Sequence, residues 1–256
     1  MFRYFIYLAY DGTCYHGWQR QPNAVSVQEK IEEVLQLLFN RHVGVLGAGR
    51  TDTGVHARLM VAHIDSEKAI DEAWLAFKLN CLLPPDISIY GVHRVLPEAH
   101  ARFSATARTY HYYLTLRKDP FSRAHACRFY YPLDFNKMNE AASLLLRHRD
   151  FGSFCKAGSD NKTNLCLISQ AHWTEKAPAL WQFEITADRF LRNMVRAIVG
   201  TLIDVGKGRL NIQAFEEVIA AGDRRASGDS MPACGLFLEQ IDYPDSLFPE
   251  GKAPRY

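Results

Sequence analysis

Strand-like and helix-like segments alternate in the N-terminal part of the chain in an order that few folds accept. Ser26 and Glu29 form a capping box, and apolar residues recur after it at helical spacing. The predicted segments are the strand Arg3–Tyr10, a helix from Val27 to about Phe39, the strands Val43–Gly47 and Met60–Asp65, the helix Ile70–Leu82 and the strand Ile87–Arg94. This β-α-β-β-α-β order is typical of a ferredoxin-like fold.

The second half of the chain follows a similar scheme without a residue-level repeat of the first. The predicted strands are Ala107–Leu116, Ser169–Glu175, Trp181–Thr186 and Leu236–Ile241, and the predicted helices are Asn136–Leu146, Arg189–Val205 and Ile212–Ala221. The segment after Tyr243 has many turn-forming residues and no periodicity. We therefore expect an α/β protein of the α+β type.

Length and composition exclude several classes of protein. The 256 residues are 48% hydrophobic, enough for one large domain or two of about 100–150 residues. Without an uncharged apolar run of about 18 residues or a signal-peptide layout, we expect a cytoplasmic protein with no membrane segment. The six cysteines show no Cys-x-x-Cys spacing, which favours reduced structural thiols over a zinc or redox site.

Positive charge is concentrated in two segments although the net charge is only +2. His100–Tyr131 has six basic side chains and one acidic, and Arg189–Arg209 has five and one, which leaves −7 on the rest of the chain. Such asymmetry can create a positive surface for a polyanion, whereas ordinary solvated faces would give the same counts.

A glycine-rich stretch at residues 47–57 surrounds the acid Asp52 with Gly47, Gly49 and Gly54. Glycines permit a tight loop or the close approach of a ligand. Arg50 stands two residues before the acid, and a carboxylate beside a cation stays ionised and can act as nucleophile or base. An Asx-turn, in which Asp52 only binds its own backbone, fits the same spacing.

Three further groups of polar residues allow both functional and structural readings. Tyr110 shares a predicted strand face with Arg108 and Tyr112, which suits nucleobase stacking or ordinary packing. Arg196 follows Arg189 and Arg192 at helical spacing, which suits a binding face or a solvated stripe. Metal binding is not expected, because the candidate ligands lack compact metal-site spacing: His16, His56, His63 and Asp65.

The loop sequence Gly-Ala-Gly-Arg-Thr-Asp-x-Gly-Val-His-Ala closely resembles the active-site motif of the TruA family of tRNA pseudouridine synthases. The resemblance extends over nearly the whole chain. Further matching motifs are Asp11-Gly-Thr with Tyr15-His-Gly-Trp18-Gln, Ser26-Val-Gln-Glu29, Ala101–Tyr110, Asp150–Cys155, Met194-Val-Arg196 and Gly235-Leu-Phe-Leu238. Two departures are Thr53, where the family usually has alanine, and Arg192-Asn193, where bulkier residues or histidine are common.

This resemblance implies two ferredoxin-like halves with mainly antiparallel sheets meeting around a central basic cleft, with helices on the outer face. The N-terminal half, residues 1–104, would carry the Asp52 loop, followed by a C-terminal half at 105–245 and a tail at 246–256. The partner would be the anticodon arm of tRNA, with uridines 38, 39 and 40 as targets, and the enzyme would be a homodimer.

The same resemblance implies a role for each site residue. Asp52 would be the catalytic nucleophile or base and Arg196 its cleft partner. Tyr110 would be a catalytic residue and would stack on the target uracil; Arg50 would enter the space left by the extruded base, and Leu236 would line the uracil pocket. Isomerisation requires no redox change or external group, so no cofactor or metal is expected.

Alternatives to this interpretation concern both activity and mechanism. A non-catalytic RNA-binding module could be built on the same halves, and a metal-dependent hydrolase could use Asp52, His56 and His63. The residues do not distinguish attack at C1′, removal of the C2′ proton to give a glycal, and addition to uracil C6.

Overall fold

A computed structural model describes residues 1–159 and 161–256, which form an α+β fold with mostly antiparallel strand pairing. The strands are β1 (Phe2–Tyr10), β2 (Leu46–Gly47), β3 (His56–Ser66), β4 (Ile87–Val95), β5 (Ala107–Thr115), β6 (Cys127–Arg128), β7 (Ile168–Ala177), β8 (Leu180–Ala187) and β9 (Leu236–Asp242). The α-helices are α1 (Val27–Phe39), α2 (Glu72–Leu82), α3 (Phe135–Leu144), α4 (Met194–Gly206) and α5 (Ile212–Ala221).

The chain divides into two compact units, one of residues 1–107 with 237–256 and the other of residues 108–236. In the first unit the antiparallel strands lie in the order β4–β1–β3–β2. The predicted β-α-β-β-α-β order is confirmed there. The late strand β9 adds a parallel pairing to the start of β3, where His56 and Ala57 face Phe237 and Leu238.

The second unit has its own antiparallel sheet, in which β8 lies between β5 and β7. The two-residue strand β6 pairs in parallel with the end of β5. Helix α4 supplies much of the core, since nearly all of its residues are buried, and it contacts both α3 and α5. Within the described residues, no helix combines the length and apolar character that a bilayer crossing requires.

Side-chain caps explain where several helices begin. The Ser26 side chain accepts a hydrogen bond from the Glu29 N–H, as the capping box predicts, and α1 ends at Asn40 in the left-handed region. Asp71 and Asp134 cap α2 and α3 in the same way. These contacts satisfy backbone donors that a helix start leaves unpaired.

Two predicted elements are much shorter in the structure than in the sequence analysis. Helix α4 begins at Met194 and not at Arg189, because Asn193 takes a φ of 67°, which interrupts a right-handed helix. The placement of Arg189 and Arg192 on one helical face with Arg196 was therefore wrong. The predicted strand Val43–Gly47 is reduced to β2, because the buried side chains of α1 take the backbone hydrogen bonds of Val45.

The residues after β9 are packed on the sheet of the first unit. The Phe5 ring in β1 contacts Tyr243 at 5.0 Å and Phe248 at 6.2 Å between ring centroids. The Leu96 N–H also donates to the Leu247 carbonyl. Tyr243 and Phe248 therefore belong to the core of this unit although the sequence around them is irregular.

Candidate functional site

The Asp52 loop connects β2 to β3 and is anchored by the residue before the acid. Thr51 is buried, Asp52 is partly buried and Arg50 is exposed. The Thr51 hydroxyl lies 2.9 Å from the Tyr10 hydroxyl and accepts the Trp18 N–H at 3.1 Å. A buried anchor therefore stands next to an acid that solvent can reach.

The other side of the acid is held by a tight turn. The Val55 N–H donates to the Asp52 carbonyl at 3.1 Å, and the Gly54 N–H donates to the Tyr15 carbonyl at 3.2 Å. Gly54 has a φ of +77°, which glycine adopts without strain. Thr53 is exposed in this turn, so its departure from the family's alanine disturbs no buried packing.

The opening motif Asp11–Trp18 forms the surface on which this loop rests. A Cβ on Gly17 would collide with the Thr51 carbonyl, and one on Gly12 would collide with the Val55 carbonyl. These two glycines therefore allow backbone to lie against backbone on both sides of Asp52. The opening motif is therefore part of the structure that supports the Asp52 loop and is not only a connecting segment.

His56 begins β3 just beyond the turn and is buried. Its Nδ1 atom lies 3.1 Å from both the Gly12 amide nitrogen and an Asp11 carboxylate oxygen. Its ring stacks on Phe237 of β9 at 4.5 Å. The imidazole thus links the opening motif, β3 and the last strand.

Two other residues considered as metal ligands, His63 and Asp65, have structural partners. The His63 Nδ1 atom accepts the Ala101 N–H at 3.2 Å, and burial lowers the pKa of this imidazole to about 4. Asp65 accepts two hydrogen bonds from Arg3, at 2.7 and 2.8 Å, which hold the pKa of that carboxyl below its usual range. The His63 contact joins β3 to the backbone at Ala101, and the Asp65 contact joins β3 to Arg3 of β1.

Tyr110 and Tyr112 lie two positions apart in β5 and differ in exposure. Tyr110 is partly buried, and its ring makes an edge contact with Phe190 at 5.0 Å. Tyr112 is fully buried, its hydroxyl donates to the Pro232 carbonyl, and burial raises the pKa of its phenol. Tyr112 is therefore a core residue, whereas Tyr110 keeps part of its surface open.

Arg196 lies in the first turn of α4 and is fixed by Met231. Its Nε donates to the Met231 carbonyl at 2.5 Å, and the Met231 N–H donates to the Arg196 carbonyl at 3.1 Å. These two hydrogen bonds hold the Nε end of the guanidinium and the backbone of Arg196, while the residue stays partly exposed.

Arg224 is a supporting residue that the sequence analysis missed. Its guanidinium donates to the Ser227 side chain at 2.8 Å, the Gly228 carbonyl at 3.0 Å and the Ser230 hydroxyl at 2.9 Å. Ser230 also accepts the Asn193 side-chain amide at 2.6 Å, which gives the unusual Asn193 a structural role. The polar run from Ser227 to Ser230 was the available signal, since such runs often form fixed turns.

Leu236 is the first residue of β9 and is 6% exposed. The turn before it contains Gly235, where a Cβ would lie only 2.6 Å from the Tyr113 carbonyl. Leu236 belongs with Tyr110 and Arg196 to the unit of residues 108–236, and Arg50 belongs with Asp52 to the other. The grouping of all five around one substrate stays a prediction.

Comparison with known proteins gives a consistent result. The family described as "tRNA pseudouridine synthase" matches residues 141–244. The chain is 57% identical to "tRNA pseudouridine synthase A" of Bacteroides thetaiotaomicron, over 98% of this chain and 94% of the relative. It is 55% identical to the protein of that name from Bacteroides fragilis, over 96% and 98%, and 38% identical to that from Bacillus licheniformis, over 92% and 97%.

Proposed function

The chain belongs to the tRNA pseudouridine synthase A family, and we propose on this basis that it isomerises uridine to pseudouridine in tRNA. The N1–C1′ bond of the nucleotide breaks and a C5–C1′ bond forms. The proton at C5 is lost and N1 gains one, so nothing is added overall. The enzyme is thus an isomerase.

The observation that carries the chemical assignment is the fixation of the Asp52 loop. The residue before the acid is buried and hydrogen-bonded, and the residue three positions after it closes a turn on the Asp52 carbonyl. A carboxylate on such a rigid backbone is preorganised, which favours nucleophilic or base catalysis over a flexible surface role. Asp52 would form a glycosyl adduct, remove a ribose proton or add to uracil C6.

The other site residues have proposed roles that follow from the family motifs. Tyr110 provides a partly exposed ring to stack on uracil. Arg196 provides a guanidinium that is already held at Nε by a hydrogen bond. The exposed Arg50 would fill the space of the extruded base, and Leu236 would contact uracil. Chemistry on a paired base requires such extrusion.

The finer parts of the proposal concern substrate position and assembly. We propose uridines 38, 39 and 40 of the anticodon stem-loop as targets, a homodimer as the working form and the cytoplasm as the location. The two basic segments provide charge for phosphate contacts, which position RNA without reading its sequence.

The direct test is incubation with unmodified tRNA followed by mapping of pseudouridine at each nucleotide. We expect conversion at positions 38–40 in the presence of a chelator. Conversion only at other positions would contradict the proposed target, and binding without conversion would support a non-catalytic module. Activity that is lost in chelator and restored by metal would favour metal-dependent chemistry.

A second test assigns the acid. Asp52→Asn and Asp52→Ala should abolish conversion while tRNA binding and the unfolding temperature stay close to those of the wild type. Glu33→Gln, which changes an exposed carboxylate on α1, is the matched control and should be fully active. Conversion by Asp52→Ala at the wild-type rate would remove this residue from the chemistry.

A further inference from the structure

The Tyr10 and Thr51 hydroxyl groups form a buried contact next to the catalytic acid, at a distance of 2.9 Å. Tyr10 is 4% exposed and Thr51 is 8% exposed, so water does not compete freely for either group. The two residues are 41 positions apart in the chain, and the contact therefore joins the end of β1 to the loop.

We infer that this hydroxyl pair positions Asp52 for catalysis, with Tyr10 and Thr51 acting as positioning residues that do not touch the substrate. The inference rests on the proposed function, since it assigns the geometry of the same acid. It adds two residues that the site assignment leaves out.

Tyr10 is suited to this role because its backbone is held on two sides. It pairs with Ala57 of β3 and with Ile87 of β4, so it lies inside the sheet at the end of β1. Its ring packs 6.2 Å from the Trp18 ring. The phenol oxygen is thus a fixed point from which the loop can be located.

Thr51 passes this constraint to the acid through one peptide bond. Its hydroxyl accepts the Trp18 N–H at 3.1 Å and also meets the Tyr10 hydroxyl. Its carbonyl faces Gly17, where a Cβ has no space. The Thr51 carbonyl also accepts the Trp18 backbone N–H, at 3.4 Å. Rotation of the Thr51–Asp52 peptide would break that hydrogen bond, so the backbone of Asp52 is held in one orientation.

Only a hydroxyl at position 51 can make both contacts. The valine side chain has nearly the same shape but can neither accept the Trp18 N–H nor form a hydrogen bond with the Tyr10 hydroxyl. Serine keeps the hydroxyl and loses only a methyl group. Thr51→Val and Thr51→Ser therefore separate the hydrogen bonds from the packing of the side chain.

The experiment compares Tyr10→Phe, Thr51→Val, Thr51→Ser and the double variant Tyr10→Phe/Thr51→Val in single-turnover conversion of tRNA. Tyr4→Phe is the matched control, because Tyr4 is also buried in β1 and its hydroxyl accepts the Ile70 N–H at 2.9 Å, at the opposite end of the strand. Thermal unfolding and tRNA affinity are measured for each variant.

We expect Tyr10→Phe and Thr51→Val each to lower the maximal rate about 10- to 100-fold with unchanged tRNA affinity, since small misplacements have effects of that size. Thr51→Ser should recover most of the rate. The double variant should lose little more than the worse single variant, because both disrupt one contact. Tyr4→Phe should lower the unfolding temperature without slowing the reaction.

Two results would overturn the inference. One is a wild-type rate in Tyr10→Phe and Thr51→Val, and the other is a loss of rate that follows the unfolding temperature equally in all variants, Tyr4→Phe included. In either case conversion by the wild type leaves the proposed function intact. If the wild type converts no uridine, the proposed function fails and this inference fails with it.

Discussion

The Trp18 indole occupies the space that a side chain at position 47 would need, because a Cβ built on Gly47 falls well inside 3.0 Å of the indole Nε1 atom. Trp18 is almost fully buried, and its backbone N–H donates to the Thr51 hydroxyl. A single aromatic residue therefore leaves no room for a side chain at the entrance of the loop.

Gly47→Ala should for this reason destabilise the protein by about 1–3 kcal/mol, the usual cost of adding a methyl group to a packed site. Urea denaturation measures the change in the free energy of unfolding. Gly49→Ala is the control, since a Cβ there meets nothing within 4 Å, and it should be neutral or slightly stabilising. Equal stability of the two variants would show that the Trp18 contact has no energetic weight.

Arg196→Lys should reduce turnover severely while tRNA affinity changes little. Lysine keeps the charge but lacks the guanidinium whose Nε donates to the Met231 carbonyl and whose remaining donors suit a carboxylate. Single-turnover rates at saturating tRNA measure the effect. Arg209→Lys, at an exposed position after α4, should leave the rate unchanged. A wild-type rate in Arg196→Lys would show that the reaction does not depend on the arrangement of hydrogen-bond donors on the guanidinium.

Tyr110→Phe keeps the ring that contacts Phe190 and removes only the hydroxyl. We expect retained binding and strongly reduced turnover if the hydroxyl takes part in proton transfer. Affinity and single-turnover rate, measured on the same preparation, separate these steps. Unchanged turnover would limit Tyr110 to stacking on the base.

Affinity for tRNA should fall steeply with salt, because phosphate contacts release bound counterions. The expectation follows from net charges of +5 and +4 on residues 100–131 and 189–209. A plot of log affinity against log salt concentration measures it, and a flat line would show that these segments do not contact RNA. Arg50→Ala should lose more turnover than affinity, whereas Arg41→Ala, another exposed arginine, should lose neither.

The buried His63 should make stability depend on pH in acid. Burial lowers its pKa from 6.5 to about 4, so the unfolded chain binds the proton more readily than the fold. Stability that is complete above pH 6.5 is lost as pH falls toward 4, by roughly 3 kcal/mol in total. His63→Asn should reduce this slope in denaturation between those pH values, and the exposed His42→Asn should not. An identical dependence of the free energy of unfolding on pH in the wild type and both variants would contradict the role assigned to His63.

The sequence analysis predicted those elements that depend on local patterns. The strand β1, the helices α1 and α5 and the order of the N-terminal elements follow from periodicity and caps, which neighbouring residues determine. The Asp52 motif was recognisable for a similar reason, because its residues are contiguous.

Features that depend on distant contacts were not predictable. The parallel pairing of β9 with β3 joins residues far apart in the chain. The predicted helix ran through Asn193, because an asparagine in the left-handed region does not interrupt the apolar periodicity from which the helix was predicted. Arg224 and the Tyr10–Thr51 contact were missed because hydrogen-bond partners cannot be read from spacing.

The pairing of β9 with β3 also sets an order on the ribosome. The partners His56 and Phe237 are about 180 residues apart, which at roughly 5–20 residues per second is a delay of about 10–40 seconds during synthesis. Through that interval the nascent chain already contains the whole Asp52 loop, while the start of β3 lacks its β9 partner and His56 lacks its stacking ring. The Asp52 loop is thus translated early, and its surroundings are completed late.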